Sequence, residues 1–137
     1  MQFFSSLHSL GDLGLLGLRS AVGVIFLVHG LQKRAMWKMQ PSEQLPKPML
    51  RILRLLSICE PLGAIAMFAG FFTQLAALCL GIIMLGAINL KAKVMKKKFS
   101  EGSVVGWEFD FIIFGACFAL YFLGAGRFAL DRVWFGL

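Results

Sequence analysis

What most constrains this 137-residue chain is where its charge is missing. Four runs, Leu13–Leu31, Leu50–Gly70, Gln74–Leu90 and Trp107–Leu123, are nearly bare of it, and most charged residues fall in the segments between them. At about 1.5 Å of rise per residue, each run approaches the length a helix needs to cross a hydrocarbon layer of about 30 Å. No apolar/polar alternation marks a strand, and an open sheet would leave its backbone unsatisfied in lipid. The fold these runs predict is all-α, a transmembrane four-helix bundle occupying the whole chain (1–137) as one domain.

Composition agrees with a lipid solvent: 58% of residues are apolar and 15% charged. A net charge of +7, from 14 Lys and Arg against 7 Asp and Glu, would raise nucleic acid as a partner in a soluble protein. Here the basic residues flank apolar runs without the aromatic and polar interleaving of a nucleic-acid surface. Lipid headgroups are the expected partner, and nucleic acid is not. Met1–Gly11 contains no Lys or Arg, and no small-residue cleavage site follows the first run, so no signal peptide is expected. Cys59, Cys79 and Cys117 lie singly in separate runs and read as small apolar residues.

The turn Gly70–Thr73 is too short for anything but an antiparallel connection, so the second and third helices must be neighbours. Pro41, Pro46 and Pro48 keep the first connection irregular. Lys33, Arg34, Lys38, Lys47 and Arg51 follow the first run and Lys91, Lys93, Lys96, Lys97 and Lys98 the third, whereas the opposite side offers only Arg127 and Arg132. The positive-inside rule therefore predicts an inner (cytoplasmic) membrane protein with loops 32–49 and 91–106 in the cytoplasm and both termini outside. Trp37, Trp107 and Trp134 fall near the boundaries, where interfacial aromatics belong. Cys59, Gly63, Ala66 and Gly70 form a small-residue stripe on the second helix, and Gly81 and Gly86 lie on the third, permitting close helix approach.

Read together, these landmarks resemble the DoxX family of small four-helix membrane proteins. Arg19, Gly23, Ile25-Phe26-Leu27, His29-Gly30 and Lys33 are similar to its first helix; Glu60, Gly63 and Gly70-Phe71-Phe72-Thr73 to its second. Ala76-Ala77, Met84 and Ala87 match the third. Glu108 and Gly124-Ala125-Gly126-Arg127-Phe128-Ala129-Leu130-Asp131 match the fourth and its glycine-rich end. Ala125 stands where the family often has proline, and the lysines after Asn89 where a histidine is common. The resemblance implies association with membrane redox systems, including sulfur-compound:quinone oxidoreductases and partners of oxidant-detoxifying enzymes.

An ionisable residue in the hydrocarbon layer costs on the order of 3 kcal/mol and asks for a partner or a role. Counted inward from Lys33 and Arg51, Arg19 lies roughly 21 Å and Glu60 roughly 14 Å from the basic boundary, a gap a long Arg side chain can span. A structural ion pair between Arg19 and Glu60 is one expectation; a ligand-binding role for Glu60 is the other. Pro61 frees the carbonyl of Ser57, a further polar spot or a kink repaired by the Ser57 hydroxyl. His29, Asn89 and Glu108 are expected in one layer near the basic boundary, forming with Glu60 a candidate site for a polar headgroup, preferably a quinone ring. Glu108 and Asp110 are two residues apart on a helix, so only one can face inward, and the resemblance favours Glu108. His29 has no second strong ligand nearby, His8 lying toward the opposite face, so no metal or haem is expected.

These readings lead to a non-catalytic membrane subunit of a quinone-linked redox complex, with other protein subunits as partners. No nucleotide loop, metal motif or activated nucleophile suggests catalysis by the chain alone. A scaffold or assembly subunit with no ligand of its own is the alternative. A small transporter is disfavoured by the lack of an inverted repeat.

Overall fold

A computed structural model describes residues 10–100 and 106–136, apart from the side chain of Phe135. The described residues contain helices and turns but no strand. Helix α1 spans Gly11–Gln32, α2 Lys47–Ala69, α3 Thr73–Asn89 and α4 Glu108–Leu123, and a short α5 spans Leu130–Phe135. A 3-10 turn (Lys33–Trp37) prolongs α1, and a π turn (Leu90–Val94) prolongs α3. With these extensions the first three are each long and apolar enough to cross a membrane. The fourth, at 16 residues, reaches about 24 Å.

The expected spans fall inside these helices to within a few residues. The largest difference is at the start of α2, which begins at Lys47 and not Leu50. Pro46 caps it and Pro48 sits in its first turn, where a missing amide leaves no hydrogen bond unmade. Pro41 alone lies clear of the helix, so the irregular segment is shorter than three prolines suggest.

The chain runs up-down-up-down, with α1 packed most extensively on α2 and α3 on α4. Gly30 lies directly against the ring of Pro61, and a Cβ on Gly23 would meet the Phe68 ring at 3.1 Å, which sets the register of the first pair. A Cβ on Gly63 would stand 2.7 Å from Leu80, so the second helix also approaches the third closely. The core between the helices holds Val22, Phe26, Ala64, Met67, Ala77, Leu80, Met84, Ile113, Cys117 and Leu120. The outward faces are equally apolar: Leu62, Ile65, Ile82, Ile112 and Phe122 are all exposed. Charge shows the reverse pattern, with Arg19, Glu60 and Asp110 buried. This inside-out distribution is what a hydrocarbon solvent selects.

Because Gly30 already touches Pro61, Gly30→Val is expected to force α1 off α2 and destabilise the bundle by about 1–3 kcal/mol, as overpacked contacts do. Thermal unfolding in detergent should show the loss. Gly86→Ala, with nothing within 4 Å of the added Cβ, is the expected neutral control.

Candidate functional site

Two polar clusters close the ends of the bundle. At the basic end, Lys33 leaves the last turn of α1 and lays its ammonium across both carboxylate oxygens of Glu60, at 2.7 and 2.6 Å. Glu60 is 1% exposed. The close contact of Gly30 with Pro61 brings the two helices near enough for this reach. One turn earlier on α2, the Ser57 hydroxyl donates to the Arg54 carbonyl and accepts from the Trp37 indole at 2.9 Å. Arg54 in turn donates to the carbonyls of Met36 and Met39 and lies over the Trp37 ring, so the 3-10 turn is pinned to α2.

The second hairpin repeats the arrangement. Lys91, just past α3, pairs at 2.6 Å with Asp110 on the first turn of α4. Both hairpins therefore carry a lysine after their first helix and a buried carboxylate on their second.

The opposite end is closed by the C-terminal segment. Asp131 accepts hydrogen bonds from the amides of Phe72 (2.6 Å) and Thr73 (2.8 Å), capping the start of α3, while its own amide donates to the Gly70 carbonyl. Gly70 ends α2 at φ +63°, a left-handed conformation that suits glycine, and its missing side chain leaves room for the Arg19 guanidinium. Arg19 is fully buried and donates to the carbonyls of Phe128 (2.7 Å) and Met67 (3.4 Å). Asp12 accepts from the Arg127 amide, tying the start of α1 to the same segment.

Several expectations change accordingly. The expected Arg19–Glu60 pair is replaced by Lys33–Glu60. With Gly30 opposite Pro61 and Gly23 opposite Phe68, Glu60 is level with the end of α1, about a dozen residues or about 18 Å from Arg19. Asp110, and not Glu108, is the buried acid of α4; Glu108 is half-buried at the rim. Asn89 is exposed, and His29 is half-buried with its ring 6.0 Å from that of Phe109. The four groups expected to form one layer are thus dispersed: Glu60 under Lys33, His29 behind Phe109, Glu108 at a rim and Asn89 on the outer surface. His8 lies outside the described residues. Sequence reasoning treated Lys91 as a boundary marker and Lys33 as a boundary marker and family landmark, neither as an ion-pair partner; the signal available was that each ends a helix within one side-chain length of a buried acid.

A cleft of about 800 Å³ opens between α1 and α4, walled by Leu18, Phe109, Ile112, Gly115 and Ala116, with Phe99 and Glu108 at its basic end. Through Leu18 it adjoins a second hollow of about 540 Å³ beside Leu15 and Leu123. Among the described residues no group of three or more His, Cys, Asp or Glu is placed to hold a metal.

A bundle with apolar outer faces, charges paired inside and basic residues gathered at one end defines a multi-pass membrane protein. The DoxX family model matches residues 14–93, more than half of the sequence, and the chain belongs to the DoxX family. The match covers α1 from Gly14 on, α2, α3 and most of the π turn, while α4 and the closing segment after it lie beyond it. No curated protein and no solved structure gave a significant match.

Proposed function

We propose that the chain is a non-catalytic membrane subunit of a quinone-linked redox assembly, anchoring other subunits in the inner (cytoplasmic) membrane. The observation that supports the non-catalytic part of this reading is the engagement of the buried charges by internal partners, while the redox link rests on the family. Lys33 holds Glu60, Lys91 holds Asp110, and backbone carbonyls hold Arg19. A proton relay or redox residue needs a group open to substrate; these groups are engaged in holding the bundle together. Of the four groups expected around a quinone ring, Glu108 alone lines the cleft, while His29 stands behind the Phe109 wall.

Purification in mild detergent tests the proposal: a redox-active protein and its quinone should accompany the chain. Isolation of the chain alone, with membrane quinone-linked activity unchanged by its deletion, overturns it. Enclosure of Glu60 by Lys33 favours a second reading, a scaffold subunit with no ligand of its own, for which partners copurify without quinone.

The same reading orients the chain with loops 32–49 and 91–106 in the cytoplasm and both termini outside. In intact cells, a membrane-impermeant thiol reagent is expected to label a cysteine placed at Gly136 and to miss one placed at Lys96. The opposite pattern means the orientation is inverted.

A further inference from the structure

We propose that the basic end of the α1/α4 cleft is a binding site for one anionic diacyl phospholipid, with its phosphate on Lys96 and Lys98 and an acyl chain in the cleft. This goes beyond the redox reading and does not depend on it. The cleft walls are Leu18, Phe99, Phe109, Ile112 and Ala116, and Gly115 has nothing within 4 Å of an added Cβ. A slot of this size and character, open along the lipid face, suits a hydrocarbon chain.

Charge identifies the headgroup. Of the lysines after α3, Lys91 is drawn inward by Asp110. Lys93, Lys96 and Lys98 are exposed and have no ion-pair partner among the described residues. The chain reverses at Lys96, where φ is +51°, and the Lys97 amide donates to the Lys91 carbonyl. This turn sends the strand of chain back toward α4: Gly106 packs against the Lys98 carbonyl, and the Glu108 amide donates to the Phe99 carbonyl at 3.0 Å. Phe99 is a cleft wall, so Lys98, next to it in the chain, and Lys96, two residues further back, belong to the segment that borders the basic end of the slot. Glu108 places one negative charge on the α4 side of the rim and steers a phosphate to the lysine side. Basic residues at a membrane surface attract anionic lipid by about 1 kcal/mol each. The other basic loop lacks this juxtaposition, since neither of the two hollows is lined by a residue of 32–49.

The test uses the full chain, delipidated in neutral detergent and titrated with phosphatidylglycerol or phosphatidylcholine of matched chains under native mass spectrometry. One phosphatidylglycerol is expected to bind, with clear preference over phosphatidylcholine. The double variant Lys96→Gln with Lys98→Gln is expected to reduce that preference about 30-fold, while Arg34→Gln with Lys38→Gln leaves it in place. Gly115→Leu, at a position where an added Cβ meets nothing within 4 Å, places a bulky side chain in the slot and is expected to weaken both lipids. Equal binding of the two lipids, or a preference unmoved by the Lys96/Lys98 variant, overturns the proposal. Extraction from native membranes that recovers a quinone and no phospholipid overturns it while supporting the redox reading. Retention of phospholipid without a redox partner supports the lipid site and counts against the redox reading.

Discussion

Lys33→Leu is expected to destabilise the folded bundle by about 3–5 kcal/mol, and Glu60→Leu by distinctly less. Breaking a buried ion pair is expensive because the remaining charge is left without compensation. Here the two partners are unequally placed, with Lys33 23% exposed and Glu60 1%. A lysine released from its partner can extend its stem and carry the ammonium to the membrane surface. A carboxylate two methylenes from its helix, held beneath Gly30 and Pro61, has no such escape. The double replacement should recover most of the loss, since two matched apolar side chains substitute for the pair. Thermal unfolding of the four proteins in detergent measures the asymmetry. Equal losses for the two single variants, with strict additivity in the double, would show that the pair does not act as a unit.

The second large effect belongs to the opposite end. Asp131→Ala removes two charge-assisted acceptors from the amides of Phe72 and Thr73, for an expected loss of about 2–4 kcal/mol. Arg19→Leu withdraws the donor to the Phe128 and Met67 carbonyls and is expected to fall in the same range. Both residues fix the segment between α4 and α5 onto the α2–α3 turn, so their losses are expected to couple by more than about 0.5 kcal/mol. Arg19→Leu and Glu60→Leu, about 18 Å apart, should add within that margin. Hydrogen exchange gives an independent reading: the amides of Phe72 and Thr73 should lose protection in the Asp131 variant while the core of α1 keeps it. Protection retained at those amides would remove Asp131 as their cap.

The spans were legible in the sequence because lipid imposes one demand on every crossing segment, a long apolar run, and leaves little room for exceptions. The ion pairs were not, for a geometric reason. Depth was counted from Lys33 and Arg51 as though they were level, whereas the glycine contacts set Lys33 beside the middle of α2 and leave Arg51 about two turns farther out. A register between helices depends on which small residue meets which neighbour, and Gly30 on Pro61 has no signature in either helix alone. Glu108 and Asp110 pose a similar problem, since two positions two residues apart differ only in rotation, and the rotation is fixed by Lys91 from another element. The role of Arg19 was hidden because its acceptors are backbone carbonyls, which any residue can supply. Asp131 was legible as part of the glycine-rich end but not as a helix cap, because its amide donors come from a turn almost sixty residues away.

The repetition of the lysine–carboxylate pair in both hairpins bears on how such a chain enters a bilayer. Each hairpin carries its own counter-ion: Lys33 neutralises Glu60 without help from α3 or α4, and Lys91 neutralises Asp110 without help from α1 or α2. A nascent α1–α2 hairpin can therefore leave the insertion machinery with its deep acid already compensated, before the second hairpin has been synthesised. Arg19 is the exception, because one of its acceptors, Phe128, lies beyond α4. The bundle is then two electrically self-contained halves, joined by a closure whose residues follow α4 in the chain.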